Sequence, residues 1–295
     1  MAWRIVAIEN EARLSLKDKQ LHIKQGEVDC TIPLEDISTI IIDNQRVLLT
    51  TALLQGVVAA DAAVIICDKK HTPCGVYLPF NQHSRCSEVF QKQLSQSEPF
   101  KKRCWQAVVK QKILNQAFAL KILKREGFSE VKSRIERVQS GDSSNVEAQA
   151  ARLYWNYLFD KSFRRMADNN VNAALNYGYA IVRSTVARAL AGRGLYPQIG
   201  IHHDNKLNGF NLADDFVEPF RAVVDVEVAK LMAGQGSEFT REVRIALVSL
   251  LNEQCLINGE SVNIPRAAEV MASSYVNAMT AGDYSKLLLP KLGVR

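Results

Sequence analysis

The chain has 295 residues, 47% hydrophobic and 23% charged, with a formal net charge of +6. That length admits one large domain or two ordinary ones, and the composition excludes a disordered or collagen-like chain. No apolar run approaches the roughly 20 residues of a membrane span, and the basic balance favours a polyanionic partner without identifying one.

Residues 1–85 read as a β-rich domain. Trp3 to Ile8 is a first strand. Ala12 to Leu16 and Leu21 to Lys24 alternate with period two around the polar turn Lys17-Asp-Lys-Gln20, so they are expected to form a hairpin. Val28, Cys30 and Ile32 alternate again, and the continuous apolar run Ile37 to Ile42 reads as a buried strand. Thr50 is a candidate cap for a helix through Ala60, and Ala63 to Cys67 and Val76 to Leu78 are two further strands. His22, His71 and His83 lie scattered here and are expected to have no special role. The start of the chain is charged too soon for a signal peptide. Six cysteines, at 30, 67, 74, 86, 104 and 255, show no CxxC spacing. Cys67 and Cys74 flank His71, but free thiols in a cytoplasmic protein are the expectation.

Residues 86–99 turn polar and end near Pro99, which suggests a linker or lead-in helix. Residues 100–295 read as an all-α domain. Phe100 to Glu126 carries apolar residues at spacings of three and four. Its other face is basic, with Lys101, Lys102, Arg103, Lys110, Lys112, Lys121, Lys124 and Arg125, and reads as a solvated face. Ser144 and Glu147 fit a capping box for the helix from Asn145 to Phe159. As a cap, Glu147 only ties down its own helix start. As a ligand, it must be free to turn to a shared site. A long helix rich in small residues runs from about Asp168 to Ala191 and ends at Gly192 and Gly194. Further helices are expected over 222–231, 240–253 and 265–279, with a short basic tail from Lys286.

Between them lies the densest cluster of polar chemistry. His202 and His203 sit in a turn-rich loop. Asn211 is a candidate N-cap with Asp214 as its companion, and Asp215 and Glu218 are three apart and share a helix face. A loop histidine beside two carboxylates is a mixed nitrogen and oxygen ligand set, suited to Mn2+ or Mg2+. Acids in a first helical turn also complement the helix dipole without any metal.

Four passages together resemble one family: Val146-Glu-Ala-Gln-Ala-Ala-Arg-Leu-Tyr-Trp155, Asn172-Ala-Ala-Leu-Asn-Tyr-Gly-Tyr179, Gly200-Ile-His-His203 and Leu212-Ala-Asp-Asp-Phe-Val-Glu-Pro-Phe-Arg221. Their order and spacing are similar to those of the CRISPR adaptation integrases, most like the type II version, over about the whole chain. The resemblance implies an α+β architecture, a β-rich N-terminal domain that dimerises followed by an all-α catalytic domain. It implies a metal triad of Glu147, His203 and Glu218 holding Mg2+ or Mn2+. Asp215 matches a further acidic position, and His202 is adjacent to the proposed ligand. The implied activity is a metal-dependent endonuclease that inserts short DNA spacers into a CRISPR repeat, a 3′-hydroxyl attacking a phosphodiester. The implied partners are double-stranded DNA (prespacer and repeat), a second copy of the chain, and a smaller adaptation subunit bridging two dimers, with no membrane.

Two carboxylates about 4 Å apart repel by roughly 4 kcal/mol at an effective dielectric near 20, so such a site calls for a cation. DNA affinity should fall with salt as counterions are released. Arg164, Arg165 and Lys206 are candidate DNA contacts by their nearness to the motifs. The alternative activity is a structure-specific nuclease on branched DNA, with water in place of the 3′-hydroxyl. A non-catalytic nucleic-acid-binding scaffold, with the acids as caps, is the third reading.

Overall fold

A computed structural model of the chain describes residues 4–69, 71, 73–78, 84–232 and 238–293. The chain divides into two compact units, residues 1–84 and 85–295.

In the first unit, β1 (Arg4–Ile8), β2 (Arg13–Lys17), β3 (Gln20–Gln25), β4 (Val28–Pro33), β5 (Ile37–Ile42) and β6 (Leu48–Leu49) precede α1 (Thr51–Ala59), β7 (Ala63–Cys67) and β8 (Pro73–Tyr77). One sheet has the order β1-β5-β7-β8, with β1, β5 and β7 parallel and β8 antiparallel to β7. The other has the order β4-β3-β2-β6. The expected hairpin is β2 and β3, with Leu14 opposite Ile23 and Leu16 opposite Leu21. Its turn holds Asp18 and Lys19 at positive φ (49° and 61°), the geometry that suits a tight two-residue hairpin. β5 is buried along its whole length, as a strand between two parallel neighbours must be. Leu14, Leu21, Ile37, Ile40, Leu53 and Val57 are fully buried in one apolar core, each contributing about 1.5–3 kcal/mol. Thr50 caps α1 by accepting from the Leu53 amide. His22 meets Asp29 at 2.5 Å and His71 meets Asp43 at 2.9 Å. His83 lies outside the described residues.

The second unit is helical: α2 (Cys86–Leu94), α3 (Glu98–Ile122), α4 (Phe128–Ser133), α5 (Val146–Leu158), α6 (Asn170–Ala191), α7 (Asn211–Val217), α8 (Arg221–Leu231) and α9 (Arg241–Ser249). The helical unit also carries a small antiparallel sheet, β9 (Gln254–Ile257) and β10 (Glu260–Asn263), then α10 (Ile264–Ala281) and β11 (Lys291–Leu292), in the order β10-β9-β11. The basic tail from Lys286 thus ends in a strand paired with β9. Residues 86–99 hold α2 and the start of α3. Gln93 is buried and donates to the carbonyls of Tyr196 and Ile199, at 3.0 and 2.8 Å, tying this segment into the second unit. Ser97 caps α3 and Pro99 fills its first turn, where no amide partner is needed.

Small residues let α6 pack closely: a side chain at Gly178 would collide with Val224 of α8. A short 3-10 turn, Glu218–Phe220, joins α7 to α8. Phe216, Phe220, Trp105, Tyr154 and Tyr275 are fully buried around these helices. Among the described residues no helix is long and apolar enough to cross a membrane.

Candidate active site

Three chain segments of the second unit bring charged side chains together. α3 supplies Lys112, α5 supplies Glu147 in its first turn, and the turn after α7 supplies Glu218. The Lys112 ammonium donates to Glu147 and lies 2.5 Å from Glu218 Oε2. Lys112 and Glu218 are buried. The Nε of Arg221, on α8, lies 2.8 Å from the other oxygen of Glu218. Burial opposes ionisation of Glu218, but Arg221 and Lys112 outweigh it and hold this carboxyl below the usual range. Burial likewise disfavours the Lys112 ammonium, and Glu218 and Glu147 more than compensate, raising its pKa.

The capping box expected at Ser144 and Glu147 does not form. Asp142, held at φ 50° beside Gly141, takes its place and accepts from the amides of Val146 and Glu147 at 2.9 and 3.0 Å. Asn145 is left-handed (φ 51°) and makes no side-chain cap. The helix start is satisfied from outside, and the Glu147 carboxylate is left to reach Lys112. The expected Asn211 cap is also corrected. Asn211 is buried and turns back to the loop, donating to the carbonyls of Gln198 and Asn205 at 3.0 Å each. Asp214 accepts from Asn208 at 2.6 Å and faces Arg183 at 3.5 Å.

The histidine loop is organised by Asp215. Its carboxylate accepts the amides of Ile201, His202 and His203 at 2.7, 3.2 and 3.1 Å, and meets His203 Nδ1 at 2.7 Å. Gly200 is required here, because a Cβ would collide with the His203 carbonyl and come 2.8 Å from Asp215 Oδ2. The hydrogen bond that His203 makes to the Asp215 carboxylate raises its pKa against its partial desolvation, and the charges of Asp215, Glu218 and Asp214 add to the rise. Nδ1 is thereby committed to Asp215, and Nε2 is the nitrogen left to coordinate. The His202 ring stacks on Trp105 with centroids 4.1 Å apart and planes 2° apart, while His203 meets Trp105 edge-on at 5.7 Å. His202 is therefore packed against an indole.

The donor chemistry of Glu147, His203 and Glu218 fits a hard divalent cation. Glu218 Oε2 is buried, and the Lys112 ammonium stands 2.5 Å from it. Among the described residues, no three His, Cys, Asp or Glu side chains are grouped closely enough to hold one ion. The cation between the two carboxylates is instead the ammonium of Lys112.

Of the other expected residues, Arg164 is exposed and its guanidinium donates to the carbonyls of Lys161 and Phe163. Arg165 is half-buried, donates to Asn172 and Asn176 at 3.2 and 2.7 Å, and lies over the Tyr179 ring. Lys206 is exposed in the loop before α7. Neither Arg164 nor Arg165 contacts the carboxylate cluster.

Two residues were missed in the sequence. Lys112 was grouped with a solvated basic face, yet it lies on the buried row of Trp105, Val108, Val109, Gln116 and Ala119. A lysine at apolar helical spacing was the available signal. Asn115 is fully enclosed and donates to the carbonyls of Pro219 and Pro290, at 2.6 and 2.9 Å, bracing the turn that carries Glu218.

Residues 5–243 match the family described as CRISPR associated protein Cas1. The chain is similar to the CRISPR-associated endonuclease Cas1 of Neisseria meningitidis serogroup C (strain 8013), 40% identical over 99% of this chain and 97% of that one. In fold it is similar to a casposase bound to integration product, with a TM-score of 0.78 at 18% identity, covering 96% of this chain and 94% of the other. It is also similar to a chain of a Cas6-RT-Cas1--Cas2 complex, with a TM-score of 0.75 at 18% identity, over 99% of this chain and 36% of that one.

Proposed function

The chain belongs to the Cas1 family of CRISPR-associated proteins, and from that premise we propose that it is a metal-dependent DNA integrase. In this reading it joins the 3′-hydroxyl of a short DNA to a phosphodiester of a CRISPR repeat, with Glu147, His203 and Glu218 holding Mg2+ or Mn2+. The name of the 40% identical relative supports the nuclease class, and the casposase likeness is consistent with strand joining. The observation that carries the reading is the meeting of Glu147 and Glu218 from separate segments around the Lys112 ammonium, with His203 oriented through its Nδ1 by Asp215 and its charge felt by Glu218.

A bound divalent ion would favour the attacking hydroxyl as alkoxide and offset charge growing at phosphorus. The protein's own groups do the rest. Asp215 holds the His203 ring and its loop, so that Nε2 is presented without rotamer search. Arg221 keeps Glu218 ionised in a buried place. The net positive charge favours DNA backbone contacts, with Arg164, Arg165 and Lys206 as candidate contacts, and affinity should fall with salt. A homodimer formed through residues 1–85, with two dimers bridged by a small adaptation subunit, supplies two sites at a fixed span. The Cas1–Cas2 assembly of a structural neighbour supports such a partner.

Strand transfer of a short duplex into a supercoiled repeat plasmid tests the reading. The wild-type chain should give joined product with Mg2+ or Mn2+. His203→Ala should lose it by about a hundredfold or more while DNA binding is retained. Unchanged joining in His203→Ala overturns the proposal, and cleavage without joined product favours the branched-DNA nuclease instead.

A further inference from the structure

The ammonium of Lys112 lies against both carboxylates named above as metal ligands. It donates to Glu147 and lies 2.5 Å from Glu218 Oε2, so it lies between the two carboxylates at close range to both. It is buried on α3, within the apolar row of that helix, and so is a built part of the site. A divalent ion shared by these carboxylates would bind at about 2.0–2.2 Å from their oxygens. Two cations cannot use the same oxygens at that range without strong repulsion.

We propose that Lys112 is a resident cation of the ligand cluster, one that holds Glu147 and Glu218 together in the metal-free protein and must withdraw for a divalent ion to bind both. The inference rests on the metal-site reading above. It gives the site two arrangements. In one, the ammonium bridges the carboxylates. In the other, the ion does, and the four-methylene stem of Lys112 carries its charge away from the carboxylate oxygens. Metal affinity is then the difference between two cations competing for the same oxygens. The cost of two unmetallated carboxylates facing one another is met by the protein's own side chain.

The test titrates MnCl2 alone into the full chain by calorimetry, wild type against Lys112→Met, with folding checked by circular dichroism. Lys112→Met should bind Mn2+ about tenfold more tightly, within the usual range for coupled binding events. Without metal, its melting temperature should fall below that of wild type, and Mn2+ should restore more of it. Lys112→Arg, which keeps the charge, should show no gain in affinity. Should Lys112→Met fail to fold, the wild-type protein answers alone: acetylation of Lys112, read by mass spectrometry, should rise several-fold on adding Mn2+. Equal or weaker Mn2+ affinity in a folded Lys112→Met, or acetylation indifferent to Mn2+, overturns the inference and leaves the metal reading standing. Absence of Mn2+ binding to both wild type and Lys112→Met overturns both.

Discussion

Glu218 and Asp225 lie seven positions apart on one run of helix, both are buried, and they behave in opposite ways. Glu218 faces two full charges, Lys112 and Arg221, and is held below the ordinary carboxylate range. Asp225 faces two neutral hydroxyls, Tyr154 at 2.9 Å and Tyr179, and burial pushes it up to about 6. At Asp225 the phenol hydrogen bonds, even with the charges of Arg221 and Arg165, do not offset the loss of water, while at Glu218 the salt-bridged Lys112 and Arg221 do. The lesson is that burial alone does not make a ligand. Glu218 is held anionic below the ordinary range because Lys112 and Arg221 lie directly against it.

The contrast can be broken at several points. Glu218→Gln should have the largest effect, lowering strand transfer by about a thousandfold, the loss of several kcal/mol of transition-state stabilisation. It should also destabilise the metal-free protein by about 3–5 kcal/mol, because Lys112 and Arg221 lose a buried partner. Retained strand transfer would remove Glu218 from the site. Asp215→Asn leaves the loop amides with one anionic acceptor fewer and frees the His203 ring. Mn2+ affinity by calorimetry should fall about 10–100-fold, as when the partner of a metal-bound histidine is removed.

Acidity sharpens the comparison further. The stabilising contribution of Glu218 is present above its unfolded value of 4.5 and is lost as pH falls through its lowered folded value. Asp225 runs the other way. Its contribution is full below 3.8 and is lost as pH rises through about 6, a change worth roughly 3 kcal/mol. Asn is a neutral stand-in for the protonated carboxyl, so thermal melts of Asp225→Asn and wild type should differ more at pH 7 than at pH 4, with the variant gaining on wild type as pH rises, and Asp225→Asn should keep its strand transfer. A pH-independent difference would place the charge elsewhere. His203 gives the smallest signal. Its pKa is raised above 6.5, so its bond to Asp215 stabilises the metal-free protein most below 6.5 and fades as pH rises through the raised value. Coordination needs the neutral ring, so Mn2+ affinity should weaken on acidification by up to about tenfold per pH unit.

Much of the fold was legible because its signals are local. Period-two alternation marked β2 and β3, an unbroken apolar run marked β5, and Ala and Gly marked α6. The short strands β9, β10 and β11 were missed. Among the described residues β10 and β11 each pair only with β9, and Leu256 of β9 is exposed, so no apolar alternation announces them. Caps were the weakest reading. Ser144 and Asn211 have the right chemistry at the right spacing, yet Asp142 won the first helix and the loop carbonyls won Asn211. Short polar side chains have several partners of similar energy within reach, and packing chooses among them.

The sequence by itself determined the periodicities, the positive balance and the family, because these reside in residue order and composition. It also named Glu147, His203 and Glu218 as candidates through motif order. Only the tertiary structure decided that Glu147 is freed from its helix cap, that Asp215 organises the histidine loop, and that Lys112 leaves an apparently solvated stripe to stand between two carboxylates. These are matters of which charges share a small volume without water. Residues 35 and 71 positions apart from one another, as Lys112 is from Glu147 and Tyr154 from Asp225, acquire that relation only when helices pack.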